Sequence, residues 1–347
     1  MECFLREQEF IVTNLKISII IACYNEEAVI GETNGRIFDM ANKYHLQNLE
    51  VIYVNDGSTD RTREYLDDIA STNKQVKVFH LSKNFGHQPA MAAGIHHCSG
   101  DVAVLMDADL QDPPDLIREM IRMYEKEKCN VVYGVRKSRN SETFFKKITA
   151  KLFYRFLNTL SETPFPLDTG DFRLIDRKVI NTFNQLQERN KYIRGLISWI
   201  GFKQCPIFYD RDKRFAGKTK FSLTKMIQFA LTAIFYFTKK PLLLVLNLGF
   251  ACVSISLFLT IYVVVIRFTN QPSYMTGWAS TMISIIFFGG IQLLTVGIIG
   301  IYLGNVFDEV KKRPEYIIEE AINSDHRDTD QKNHPFKPDS NQDHHAE

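Results

Sequence analysis

A chain of 347 residues exceeds the usual single-domain size, so one large unit plus something smaller is expected. Its 42 lysines and arginines nearly balance 40 aspartates and glutamates, which gives no electrostatic ground for a nucleic-acid partner. Six cysteines (Cys3, Cys23, Cys98, Cys129, Cys205, Cys252) show no CxxC pair and no metal-ligand spacing, so neither zinc nor a disulfide framework is expected, and the thiols read as small buried hydrophobes in a reducing compartment.

The first sixteen residues mix both charges and lack the unbroken apolar core of a secretory signal, so the N-terminus is expected to stay cytoplasmic. From residue 16 to about 135, short β-branched runs alternate with helical patterns, the signature of a doubly wound α/β sheet. ISIII (17–21), EVIYV (50–54), VKVFHL (76–81), VAVLM (102–106) and NVVYGV (130–135) read as strands, with an amphipathic helix across 26–44. In open α/β sheets ligands bind at the carboxyl edge, so the loops after these strands are where chemistry is expected.

Further along, KKITAKLFYRFLN (146–158) has helical spacing with one cationic face, and FSLTKMIQFALTAIFYFTKKP (221–241) is amphipathic and basic at its ends. Residues 242–266 and 268–307 contain no charged residue, the second stretch being interrupted by the polar turn NQPSYMTG, and their apolar parts predict two spanning helices. Lys239, Lys240, Lys311, Lys312 and Arg313 lie at the outer ends of this pair and only Arg267 lies near its turn, which places both termini in the cytoplasm. A GxxxG spacing at Gly300 and Gly304 permits close helix contact, within the hairpin or in a homo-oligomer. The tail beyond Lys312 is polar and reads as disordered toward its end. The expected organisation is therefore a catalytic domain over 1–220, a juxtamembrane segment over 221–241, two transmembrane helices over 242–307, and a cytoplasmic tail over 308–347.

DADLQD places Asp107 and Asp109 at the end of a predicted strand, where one loop aims both carboxylates at one point. A hard divalent cation, Mg2+ or Mn2+, suits such a pair and would neutralise a diphosphate leaving group, with Gln111 able to add an oxygen. NDGSTD ends the second strand with Asp56 and turns tightly through Gly57 and Ser58. YNEE, DGSTD, NFGHQPAMAAG and DADLQDP follow four successive strands, so all four sit on one edge.

With these motifs in order, the chain resembles the family 2 glycosyltransferases with a GT-A fold, and within them the polyprenyl-phosphate sugar transferases of the dolichyl-phosphate mannose synthase and bactoprenol glucosyltransferase kind. DTGDFRLIDRKV (168–179), ERNKYIRGLISWIGF (188–202), RFAGKTKFSLTKM (214–226) and YLGNVFDEVKKRPEYIIEE (302–320) extend the resemblance from about residue 16 to 320. The resemblance implies a membrane-bound enzyme of the bacterial inner membrane with its catalytic domain on the cytoplasmic face. Its substrates would be a nucleotide sugar, with UDP-glucose the leading choice, and a polyprenyl phosphate. Position by position, it makes Tyr24, Glu26 and Asp56 contacts to the nucleoside, Asp107 a ribose or metal neighbour, Asp109 and Gln111 metal ligands, and Arg214 and Lys220 stabilisers of the diphosphate. The chain departs from the family pattern where Ala22 and Cys23 replace the usual proline before YNEE, and where Thr219, Lys220 and Phe221 stand for Ser-Lys-Tyr.

Asp171 in GDFR is the carboxylate candidate for a catalytic base or for orienting an arginine or the sugar. A phosphate acceptor is already anionic and needs cations that position it, for which Arg136, Arg139 and Lys147 are the candidates. A processive polysaccharide synthase is a second reading, opposed by the absence of a QxxRW element and by having only two spans. A noncatalytic membrane scaffold would not need the acidic and basic donor contacts that this chain keeps.

Overall fold

The computed structural model describes residues 14–136, 169–188, 191–210, 240–268 and 278–324. All five strands read from the sequence form: β1 (Ile17–Cys23), β2 (Leu49–Asn55), β3 (Val76–Leu81), β4 (Val102–Asp107) and β5 (Val131–Arg136). Between them lie α1 (Ile30–Lys43), α2 (Thr62–Thr72), α3 (His87–His97) and α4 (Leu116–Glu127). β1 pairs in parallel with β2 and β4, and β2 pairs in parallel with β3. Covered on both faces, β1 and β2 are buried along nearly their whole length, which is why they read as continuous apolar runs.

Three further strands were not legible, and two of them make the sheet mixed rather than parallel throughout. β6 (Thr169–Asp176) runs antiparallel between β4 and β5, β7 (Gln204–Tyr209) lies parallel to β5 at one edge, and β8 (Ile318–Ile322) lies antiparallel to β3 at the other. β6 hides because it carries Asp171 and Arg173, 7% and 3% exposed, where an ordinary strand would carry apolar residues. Pro206 in β7 and the acidic pair Glu319 and Glu320 in β8 are edge-strand features that lower a strand signal in sequence. β8 shows that residues after the last long helix complete the sheet, ahead of the stretch from 326 read as disordered.

Asp176 ends β6 and caps α5 (Arg177–Gln185), accepting the Val179 amide at 2.9 Å. α6 (Ile193–Ile200) follows and ends at Gly201, whose φ of 79° suits the left-handed cap. The cysteine expectation needs one correction: Cys129 and Cys205 form a disulfide, their Cα atoms 6.1 Å apart. They lie 76 positions apart in sequence, and the β5–β7 pairing brings them together, so no local spacing could signal it.

α3 positions the site more than any other helix. Ala90, Met91, Ala92, Ala93, Gly94 and Ile95 are all buried, and a Cβ on Gly94 would stand 2.2 Å from Ile20 Cγ2. The helix therefore rests its backbone on β1, which fixes its first residue, His87, at the carboxyl edge.

The chain divides into two compact units, one containing the sheet and the residues from 313 onward, the other containing the long helices α7 (Lys240–Phe268) and α8 (Trp278–Val310). Among the described residues, 287–310 form one helical stretch long and apolar enough to cross a membrane, and 242–255 form a shorter apolar one. Leu293 is 76% exposed and Phe258 78%, so these apolar side chains find no protein cover.

Candidate functional site

The first two carboxyl-edge loops are laced together by side chain to backbone bonds. Ser58 Oγ accepts the Asn25 amide at 3.0 Å, Asn25 Oδ1 accepts the Thr59 amide at 2.8 Å, and Thr62 Oγ1 accepts the Glu26 amide at 2.8 Å. Gly57 has φ of 62°, and a Cβ there would stand 2.4 Å from the Lys83 carbonyl carbon, so only glycine lets this turn rest on the loop after β3. Asp56 lies beneath, 2% exposed, its two oxygens accepting the Phe85 and Gly86 amides at 2.7 and 2.9 Å. Burial pushes the Asp56 carboxyl up and these two bonds oppose the push. Asp56 thus holds the β3–α3 loop in place, while Tyr24 stands 38% exposed beside it.

The centre of the edge lies where β4 meets β6. Leu105 and Arg173 are the last paired residues, and just beyond them the carboxylates of Asp107 and Asp171 come within 4.8 Å of each other. His87, at the start of α3, reaches both: its Nε2 is 3.6 Å from Asp107 Oδ1 and 3.4 Å from Asp171 Oδ2. From α6, Arg194 grips Asp171 with a fork, Nε to Oδ1 at 2.6 Å and a terminal nitrogen to Oδ2 at 2.9 Å. His87 and Arg194 belong to motifs that the sequence marks, yet no local pattern gives them a role, because their partners lie on other elements.

The electrostatics of this cluster are crowded. Burial alone would raise the Asp171 carboxyl, but the charge and hydrogen bonds of Arg194, aided by His87, hold it well below the usual carboxylate range. Asp107 is pushed up by burial, with Asp171 and Asp109 adding to the push against the opposing charge of His87. Burial would lower His87, yet its bond to Asp171 and the two carboxylate charges lift it to about 9. The two carboxylates thus favour the charged form of the imidazole placed between them.

His87, Asp107 and Asp171 each offer a ligand atom, and these lie within 4.8 Å of one another. Both Asp171 oxygens are engaged by Arg194, so Asp107 is the better hard-cation ligand of the three. Asp109 and Gln111 follow on the same half-buried loop, where Asp109 Oδ1 accepts the Gln111 amide at 3.2 Å. Leu110 between them has φ of 57°, a conformation that costs a branched side chain about 1 kcal/mol, and strain of this kind is retained where a loop must aim particular groups. The carboxylate and amide oxygens of this loop fit Mg2+ or Mn2+.

Arg136 ends β5 on the flank of the cluster, and a Cβ on Gly170 would stand 2.9 Å from its guanidinium. Tyr209 donates its hydroxyl to Asp112 at 2.5 Å and bonds Arg136 as well, so the arginine is fixed beside the residue that precedes Asp171. Arg139, Lys147, Arg214 and Lys220, together with the basic segments 146–158 and 221–241, lie outside the described residues, apart from the last two residues of the second segment.

The sequence profile described as Glycosyl transferase family 2 matches residues 18–183. An uncharacterized glycosyltransferase of Bacillus subtilis is 44% identical over 308 residues, spanning 89% of this chain and 94% of that one. The chain belongs to glycosyltransferase family 2. A bactoprenol glucosyl transferase of Shigella phage SfII is 33% identical over 311 residues, 88% of this chain and 98% of that protein. Glucosyl-3-phosphoglycerate synthase from Mycobacterium tuberculosis, solved with Mn2+ and UDP, aligns with a TM-score of 0.46 at 17% identity, over 64% of this chain and 78% of that one. As a family 2 member this protein is a glycosyltransferase, and the crowded edge of its sheet is its candidate active site.

Proposed function

We propose that this glycosyltransferase moves a single sugar, glucose from UDP-glucose as the leading choice, onto a polyprenyl phosphate at the cytoplasmic face of a bacterial inner membrane. The observation that carries the reading is the meeting of Asp107 and Asp171 across β4 and β6, with Arg194 locking one and the DADLQD loop continuing from the other. The near full-length similarity to bactoprenol glucosyl transferases supports a lipid carrier as acceptor.

In the proposed step an acceptor phosphate oxygen attacks the anomeric carbon, and the bond to the nucleoside diphosphate breaks with its electron pair leaving on the diphosphate. A bound Mg2+ or Mn2+ supplies positive charge for that leaving group. Asp107 and Asp109 would hold it with Gln111, and Arg214 and Lys220 would close over the donor. Tyr24, Glu26 and Asp56 would bracket the nucleoside.

An anionic phosphate needs no deprotonation, which agrees with an Asp171 carboxyl held ionised by an arginine fork and thus a poor proton acceptor at neutral pH. Its role is to fix charge at the reacting centre. Arg136, Arg139 and Lys147 would position the acceptor phosphate. Segments 242–266 and 268–307 would form a two-helix hairpin that keeps the catalytic unit at headgroup level, where basic residues meet a lipid phosphate.

Inside-out membrane vesicles containing the protein and a polyprenyl phosphate, offered a panel of labelled nucleotide sugars, test the proposal. Label should enter extractable lipid as one sugar on an acid-labile phosphodiester, chelation should stop it, and right-side-out vesicles should stay unlabelled. Growing sugar chains, or equal labelling in both orientations, would refute it.

A further inference from the structure

The two residues of the site that sequence left without roles, His87 and Arg194, sit on helices joined to each other and to the segment that follows α8. Gln88, next to His87, accepts the Ile193 amide on its Oε1 at 2.9 Å, and Ile193 adjoins Arg194. The starts of α3 and α6 are therefore tied one residue away from each functional side chain. At the far end of α3, His96 Nδ1 meets the Tyr316 hydroxyl at 2.8 Å and His96 Nε2 meets Lys191 Nζ at 3.3 Å. Lys191, three residues before Arg194, is paired with Glu315 at 3.4 Å and lies over the Phe183 ring at 5.2 Å.

Lys191 and Glu315 have side chains only 5% and 9% exposed, and Tyr316 is 9% exposed. Buried charges stay charged only when paired, and a buried pair adds little net stability compared with an apolar pair of the same shape. A polar group of this kind is better explained by specificity of arrangement, because it fixes one geometry where an apolar contact would tolerate several. What it fixes here is the approach of α6 to α3. The segment is itself anchored, with the Ser82 amide bonded to the Ile317 carbonyl at 3.0 Å, and Asn323 Nδ2 donating to the Ala70 and Val76 carbonyls at 2.7 and 2.9 Å.

We infer that Glu315 and Tyr316 are positioning residues for catalysis, holding Arg194 through Lys191 and His87 through His96 and the α3 helix. The activity through which this is read rests on the proposed transfer to a polyprenyl phosphate. Neither residue touches the reacting atoms. Their contribution is the placement of the Arg194 fork on Asp171 and of His87 between the two carboxylates, and a displacement of about 1 Å at such a centre costs up to roughly 100-fold in rate.

The experiment uses the full-length protein in vesicles with Glu315→Gln, which removes the charge and keeps size and an acceptor oxygen, and Tyr316→Phe, which removes the hydroxyl and keeps the ring. Glu320→Gln serves as a control, since it loosens the same segment at its exposed contact with Arg63 without a route to the site. For each, kcat per folded enzyme and KM for the nucleotide sugar are measured, together with the nitrogen-proton resonance of the Arg194 Nε–H group. Glu315→Gln and Tyr316→Phe should each lose roughly 10-fold or more in kcat with KM within about twofold of wild type, and should shift the Arg194 resonance. Glu320→Gln should change neither. Lower stability with kcat and resonance intact in both variants would overturn the inference, and should one variant not fold, the other decides alone. A wild-type protein that labels no lipid would defeat the proposed function instead, and the Arg194 resonance would then decide the positioning role by itself.

Discussion

The two edges of one sheet treat buried carboxylates in opposite ways. At the amino edge Glu50, 4% exposed, receives the Ser18 hydroxyl at 2.5 Å, the Ser99 amide and hydroxyl at 2.6 and 2.7 Å, and Lys77 Nζ at 2.9 Å. Each of these partners donates to the carboxylate. At the carboxyl edge Asp107 and Asp171 converge on one imidazole, with Asp109 nearby, and one of the pair is pushed up while the other is held down. A satisfied carboxylate closes a structure, whereas crowded ones leave charge available for a ligand to complete. The difference predicts that damage at one edge shows in stability and damage at the other in rate.

Arg194→Lys should sharpen this contrast most. Lysine keeps the charge but cannot make the two-point fork on Asp171, so kcat should fall roughly 100- to 1000-fold with a small change in Tm. Steady-state kinetics on folded protein check this, and a loss of stability without loss of rate would place Arg194 with the structural residues.

Glu50→Gln should do the reverse. Against the upward push of burial, the bonds from Ser18, Ser99 and Lys77 bring the Glu50 carboxyl from 4.5 down to about 2. A carboxyl lowered in the folded state adds stability above its unfolded value, and that contribution disappears as pH falls from about 4.5 toward about 2. The difference amounts to on the order of 3 kcal/mol. Denaturant titrations of the catalytic unit should show the wild type losing this margin across that window, with Glu50→Gln starting lower and varying less. kcat per folded enzyme should stay at the wild-type value.

Arg136→Ala should give the smallest effect, on the flank of the active edge. The KM for lipid acceptor should rise about 10-fold, as expected for one lost charge-assisted contact, while the KM for nucleotide sugar stays nearly constant. A rise confined to the nucleotide sugar would move Arg136 to the donor side.

Much of the carboxyl edge was legible because local patterns carried it. β1 to β5 announced themselves as apolar runs, and DGSTD and DADLQD as the turns after β2 and β4. What stayed hidden depended on distant partners. β6 reads as polar because Asp171 and Arg173 are buried against groups on other elements, and β8 reads as an acidic tail because Arg63, more than 250 residues away, pairs with Glu319 and Glu320. Asp171 was found as a carboxylate, but the arginine that governs it lies on a separate helix with no spacing to betray it. The Cys129–Cys205 pair was hidden for the same reason.

The central claim is that the crowded edge performs sugar transfer with a cation held by the DADLQD loop. Asp109→Asn tests it most directly, since this half-buried side chain keeps its size and loses only its charge. The measurement is label transferred from UDP-glucose, or from whichever nucleotide sugar the wild type accepts, to a polyprenyl phosphate, per folded enzyme and across a Mn2+ titration. Transfer should fall at least about 1000-fold at low Mn2+ and recover only in part at high Mn2+, with Tm unchanged. Activity within threefold of wild type at every Mn2+ concentration would contradict the account.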